Sequence, residues 1–438
     1  MEFQTHEIEF DKDGNLFEPE RLPQAIAAIK AGSFSDLIVI AHGWNNDIAD
    51  ARDLYKKYLK HTADVLGSGK VPGLNNRTFA VITVFWPSKK FTDEELIPGG
   101  GAASVADSKI DANILLQLEA LKKEPIRLGE ATIDPVASAI VEQAKALLPK
   151  LANDAAARKE FVLLLRSLLN PNDAHRDDAS EEFFTADPET ILRELSKPVM
   201  VPPAASGGGG AAVLGGGAAN FLGDLASGIN SGVRRLLNFT TYYKMKERAG
   251  AVGRVGVAPM LLRIREKLPD IRIHLVGHSF GGRLVTAAAH GLDDSTKVQT
   301  MTLLQAAYSH NGLSSKFDGQ RDGAFRALVV KKRVSGPICI TYTHNDRAVG
   351  ILYPLASRFS KDQASALGDA NDPYGGMGRN GARRTPEASD FKLTQVGQSL
   401  TLSAGKIHNF ECSACITDHS DIANAPVAYL GLSAAAKT

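Results

Sequence analysis

The chain has 438 residues and sets 50 basic side chains against 49 acidic ones, a formal net charge of +1. So even a balance provides no field that would gather phosphates, and a nucleic-acid partner is excluded from the expectations. The length exceeds one average domain but suits a single large α/β core carrying an elaboration. In chain order, THEIEF reads as an edge strand closed by the turn DKDGN. LIVIAHGW (37–44) is a buried strand, followed by the helical DIADARDLYKKYLKHTADVL, and TFAVITVFWP (78–87) is the next strand. RIHLVGHS, VQTMTLLQAA and GPICITYTHND then end in short polar or glycine-bearing turns, and DIANAPVAYLGL closes the chain as a helix. Strands rich in β-branched residues that alternate with helices predict a mostly parallel central sheet flanked by helices, with ligands at the carboxyl ends of the strands.

Between residues 88 and 237 the alternation breaks down, which divides the chain into core segments 1–87 and 238–438 around an insertion. Helical spacing in ILLQLEALKK, PVASAIVEQAKALLPKL and FVLLLRSLL predicts several helices there. A glycine- and alanine-rich stretch, uncharged from Pro198 to Gly223, is read as a mobile lid in preference to a packed hairpin or a spanning helix. The helix YYKMKERAGAVG leads back to the core. The start MEFQTHEIEFDKDGNLFEPE lacks a basic segment followed by an apolar run, and three cysteines are too few for a disulfide framework. A cytoplasmic protein without a cleaved signal is expected, signal-free export aside.

The chemistry concentrates at Gly277-His278-Ser279-Phe280-Gly281, a G-x-S-x-G pattern. A serine on a sharp strand-to-helix turn sits in a strained backbone, and the residues two before and two after it must be small. IHLV before the turn suits a strand and GRLVTAAAHGL after it suits a helix, which favours a nucleophile over an incidental serine in a tight turn. An activated serine also needs main-chain donors for an oxyanion, a base, and an acid to orient the base. His42, Gly43 and Trp44 follow the strand LIVIA. The N–H groups of Trp44 and Phe280 are the candidate oxyanion donors, with Gly43 allowing a close approach; a strand end with a packed tryptophan is the competing reading.

With HGW as an oxyanion loop and GHSFGG as a nucleophile elbow, the chain resembles an α/β-hydrolase over about residues 1–87 and 238–438, but not across the insertion. The resemblance implies the chain order oxyanion loop, serine, acid, histidine, with a large helical cap or lid over the strand ends and no cofactor. On that order Asp346, at the end of ICITYTHND, is the acid, ahead of Asp293 and Asp294. His419, before the closing helix, is the base, ahead of His408. His42, Gly43, His278, His310 and His344 are candidates to line the substrate pocket. A rival constellation, His408, Cys412, Cys415 and His419, offers four zinc-ligand types at compressed spacing; no metal is expected, and two buried thiols are preferred to zinc or a local disulfide. The expected activity is a serine hydrolase cleaving a small-molecule or lipid carboxylic ester through an acyl-enzyme. Behind it come a lipase or phospholipase contacting a membrane surface through the cap, a peptidase or amidase, and a non-catalytic scaffold.

Overall fold

The computed structural model describes residues 2–44, 46–88, 112–178, 180–197, 228–346, 348–349, 374–393 and 395–438. The core alternates β1 (Gln4–Glu9), α1 (Arg21–Ala31), β2 (Asp36–Ala41), α2 (Ile48–Gly67) and β3 (Phe79–Phe85). Every residue of β2 and β3 is buried. Along β2 the pleat sends Leu37, Val39 and Ala41 into one apolar core and Ile38 and Ile40 into the other, where Tyr55 and Tyr58 of α2 wait. A strand apolar at every position is therefore satisfied on both faces. Fully burying each such aliphatic side chain stabilises the fold by about 1.5–3 kcal/mol.

The insertion carries α3 (Ala112–Leu121), a hairpin of β4 (Lys123–Arg127) and β5 (Glu130–Ile133), α4 (Pro135–Leu147), α5 (Ala155–Arg166), α6 (Ser180–Thr185) and α7 (Pro188–Leu195). The helices expected there are present. The hairpin was not anticipated: KEPIR follows α3 after a single residue, and the chain reverses at Gly129, whose φ is +85°. α8 (Ile229–Ala251) runs through a π-helical turn (Val252–Val257) into α9 (Ala258–Lys267), so residue 237 falls inside one continuous helical rod. This rod lies on the helix behind Ser279, and a Cβ on Gly253 would stand 2.3 Å from the Leu284 carbonyl oxygen. A buried ion pair between Lys246 and Asp178 fastens the insertion further. Lys246 Nζ also donates to Ser180 Oγ at 3.1 Å, and Arg283 Nε donates to the Lys246 carbonyl at 3.0 Å. The stretch from Pro198 to Gly223, expected to be a lid, lies outside the described residues. Among the described residues no helix is long and apolar enough to cross a membrane.

The core resumes with β6 (Arg272–His278), α10 (Phe280–His290), β7 (Thr300–Leu304), α11 (Arg326–Val330), β8 (Ile338–Tyr342), α12 (Met377–Asn380), β9 (Ala388–Lys392), β10 (Ile407–Glu411) and α13 (Ala425–Ala435). Eight strands form one sheet in the order β1-β3-β2-β6-β7-β8-β10-β9, and every neighbouring pair is parallel. From β2 the chain first moves outward to β3 and β1's side, then β6 returns to pair with the other edge of β2. That reversal opens a crevice beyond the carboxyl ends of β2 and β6, the place where open α/β sheets hold ligands. Ala41 and Gly277 are register partners there. HGW and HSFGG consequently meet.

Candidate active site

Ser279 has φ 55° and ψ −123°, a conformation that costs a residue with a Cβ about 1–3 kcal/mol and persists because its surroundings over-determine it. The Ser279 N–H donates to Leu304 at 3.0 Å, while its carbonyl accepts from Ala307 and Gly282, both at 3.0 Å. The two glycines are required sterically: a Cβ on Gly277 would stand 2.4 Å from the Gly281 oxygen, and one on Gly281 would stand 2.3 Å from the Ala41 oxygen. The turn therefore presses the start of α10 onto the end of β2 and leaves the serine hydroxyl on top.

His419 Nε2 lies 2.8 Å from Ser279 Oγ, and His419 Nδ1 lies 2.8 Å from Asp346 Oδ2. A carboxylate accepts only, so Nδ1 carries the imidazole hydrogen and Nε2 is free to accept from the serine hydroxyl. Asp346 is fully buried and its other oxygen accepts from the Val349 N–H at 2.9 Å. About 12% of the His419 side chain is exposed. Burial disfavours its charged form, but the Asp346 carboxylate outweighs burial by charge and hydrogen bond, and the pKa is raised above the ordinary 6.5. The loops that carry the pair are laced together. Asn345 Nδ2 donates to the Ser413 and Ile416 carbonyls at 3.1 and 2.9 Å, Arg379 donates to the His344 carbonyl at 2.6 Å, and Asn424 Nδ2 donates to the Cys415 carbonyl at 2.9 Å. Sequence reasoning missed these three residues. For Asn345 and Asn424 the only signal was an asparagine beside a loop's turn, which is commonplace, and Arg379 had none.

On the opposite side, a Cβ on Gly43 would stand 2.8 Å from the Ser279 Cβ, so the loop after β2 is in backbone contact with the nucleophile turn. Phe280 opens α10, where the first N–H groups have no intrahelical acceptor. Its ring meets Trp44 edge-on at 6.1 Å and Tyr242 of α8 at 5.1 Å, an aromatic wall that joins the loop to the long rod.

Three of the expected pocket residues are placed as follows. His42 is fully buried and each of its polar groups is engaged within the fold. Its N–H donates to Tyr55 Oη at 2.8 Å, its Nδ1–H to the Gly43 carbonyl at 2.9 Å, its carbonyl accepts from Trp86 Nε1 at 3.0 Å, and its Nε2 accepts from the Trp86 N–H at 3.4 Å. Burial lowers its pKa to about 4, so it stays neutral and braces the loop from behind. His310 is also fully buried, receiving the Gly375 N–H on Nε2 at 3.3 Å with Asn380 Nδ2 3.2 Å from Nδ1, and it ties the β7 loop to α12. His344 is exposed on the loop surface, its ring edge-on to Tyr342. Gly43 and His278 do lie at the serine.

The zinc-like constellation does not converge. His408 Nε2 is bound to Ser403, His419 faces Ser279 and Asp346, and the Cys412 thiol donates to the Phe410 carbonyl at 3.2 Å. Asp293 accepts from Ser295 and Thr296 in the turn after α10, and Asp294 pairs with Arg333 at 2.6 Å, both apart from His419. A second Asp–His pair, Asp36 with His274 at 2.7 Å, sits at the amino end of the sheet; His274 Nδ1 meets Thr300 Oγ1 at 2.9 Å and all three are buried. Arg77 clamps the carboxylate, with its Nε donating to Asp36 Oδ2 at 2.8 Å.

Residues 249–330, which hold the rod's end, β6, the turn at Ser279, α10 and β7, match the family model described as the alpha/beta hydrolase fold. Taken with the parallel eight-stranded sheet flanked by helices, this match gives the chain an α/β-hydrolase fold and supports membership of that superfamily. No curated protein and no solved structure matches the chain.

Proposed function

We propose that the protein is a serine hydrolase that cleaves carboxylic esters through an acyl-enzyme. The observation that carries this reading is the unbroken relay of Ser279 Oγ, His419 and Asp346, with both contacts at 2.8 Å and the serine at positive φ. Ser279 Oγ attacks the ester carbonyl carbon as its proton passes to His419 Nε2. Asp346 keeps the Nδ1 tautomer in place and stabilises the imidazolium without taking its proton. The main-chain N–H groups of Trp44 and Phe280 hold the oxyanion, each such donor being worth about 3 kcal/mol in the transition state. The C–O bond to the alcohol breaks as His419 returns the proton to it. Water then repeats the sequence on the acyl-enzyme, giving the carboxylic acid and the free serine. No step calls for a cofactor.

An ester is the easier substrate for such a relay in general, because its alcohol leaves with less help from the base than an amine does. The test is a series of p-nitrophenyl esters of rising acyl length beside the matched anilides, with Ser279→Ala as control. Ester turnover that falls by several orders of magnitude in Ser279→Ala, to a residual on the order of 10³–10⁴ over water, supports the proposal. Anilides cleaved as fast as esters would move the activity to amides. A rate that climbs as substrate passes its critical micelle concentration would move it to a lipid surface.

A further inference from the structure

We propose that His278, the residue between Gly277 and Ser279, is a positioning residue: it holds the peptide of His419 with a donated hydrogen bond while its own ring remains neutral. The inference rests on the reading of Ser279, His419 and Asp346 as a catalytic relay and names what keeps its base in register with its nucleophile.

His278 Nε2 lies 2.9 Å from the carbonyl oxygen of His419. A carbonyl only accepts, so Nε2 carries the hydrogen and Nδ1 presents a lone pair. Nδ1 is buried and has no hydrogen-bond partner, and a Cβ on Gly43 would lie 3.0 Å from it. The ring is thus wedged between the loop after β2 and the loop that carries the base, with 6% of the residue exposed. Its centroid stands 5.0 Å from that of His419.

This placement does two things. The loop from Cys412 to Asn424 has no regular element to fix His419, and the bond from His278 couples the base's own peptide to the turn that carries the nucleophile. A displacement of one then carries the other. The second effect is electrostatic. The titratable groups that face His278 are His419, Asp346 and His42, and a charged His278 would oppose the imidazolium that forms on His419 during turnover. Burial first, then the neighbouring His419, holds the His278 pKa down to about 3, and the neutral ring spares the relay a second positive charge.

The variants that separate this role from mere packing are His278→Leu, which keeps bulk without a donor, and His278→Gln, whose amide N–H can reach the His419 carbonyl. Two readouts apply: the pKa of His419 followed by NMR with ring-labelled histidine, and the second-order rate at which a fluorophosphonate modifies Ser279. His278→Leu should label about 10²-fold more slowly, the scale expected of a base displaced by about 1 Å, and its His419 pKa should fall back toward 6.5. His278→Gln should recover most of the rate and the wild-type pKa. If His278→Leu does not fold, His278→Asn, polar but too short to reach, should show the same losses. Wild-type rate and pKa in the leucine or asparagine variant would overturn the proposal, as would a glutamine variant as impaired as leucine. If wild-type Ser279 takes no label, the hydrolase reading fails, and the NMR titration still decides whether His278 positions His419.

Discussion

The backbone of Gly43 packs so closely on Ser279 that a Cβ there would stand 2.8 Å from the serine's own, a distance real Cβ atoms essentially never show. His278 Nδ1 blocks the other escape at 3.0 Å. Gly43→Ala must therefore push the loop away from the turn, carrying the Trp44 N–H out of reach of an oxyanion. The expected result is a kcat lower by about 10²–10³ with KM changed far less. Steady-state kinetics on one activated ester, with a thermal unfolding curve showing that the variant is folded, checks this.

The raised pKa of His419 fixes the direction of the pH profile. Only the neutral imidazole accepts the serine proton, so kcat/KM should rise with pH through a midpoint above 6.5. Neither His278, held to about 3, nor His42, held to about 4, adds a limb in that window. Asp346→Asn removes the charge that raises the pKa, so the midpoint should drop and kcat should fall by about 10⁴. Because the folded pKa is the higher one, the His419–Asp346 contribution to stability is fully present below 6.5 and is lost as the pH rises through the folded value. Kinetic and unfolding titrations from pH 5 to pH 9 read both effects.

Asp36 provides the contrast. It is fully buried between Arg77 and His274, and although burial opposes its charge, the bonds from those two residues depress its pKa. Stability from this group is present above pH 3.8 and is lost as the pH falls toward its folded value. Asp36→Ala leaves the largely buried Arg77 guanidinium without its anion and His274 without its acceptor, and should cost about 3–5 kcal/mol in denaturant unfolding. Its kcat at a temperature where the variant is folded should stay near wild type. A variant with intact stability and lost turnover would relocate the active site to the amino end of the sheet.

Sequence revealed the parts whose constraint is local. DLIVIA and FAVITVF read as strands because both faces are buried, and the serine turn read as strained because Gly277 and Gly281 stand where a Cβ meets backbone. What escaped depends on contacts between distant segments. β9, ASDFK, is an edge strand with polar, half-exposed residues and no alternation to announce it. The β4–β5 hairpin hides in KEPIR and EATI, where a proline and charges mask the strand pattern. The histidines show the same limit. His42, His310 and His344 all stand just beyond strand ends, yet Trp86 and Gly375 bury the first two while the third stays in solvent. Nothing within a few residues of each one distinguishes these fates.

The central claim, that Ser279 is a nucleophile driven by His419, is tested most directly by covalent labelling. A fluorophosphonate should form one adduct per chain, mapped by peptide mass spectrometry to Ser279. It should be absent from Ser279→Ala and slower by several orders of magnitude in His419→Ala, because serine and base act as one unit. An adduct on another residue, or labelling of Ser279 that is indifferent to the loss of His419, would contradict the account.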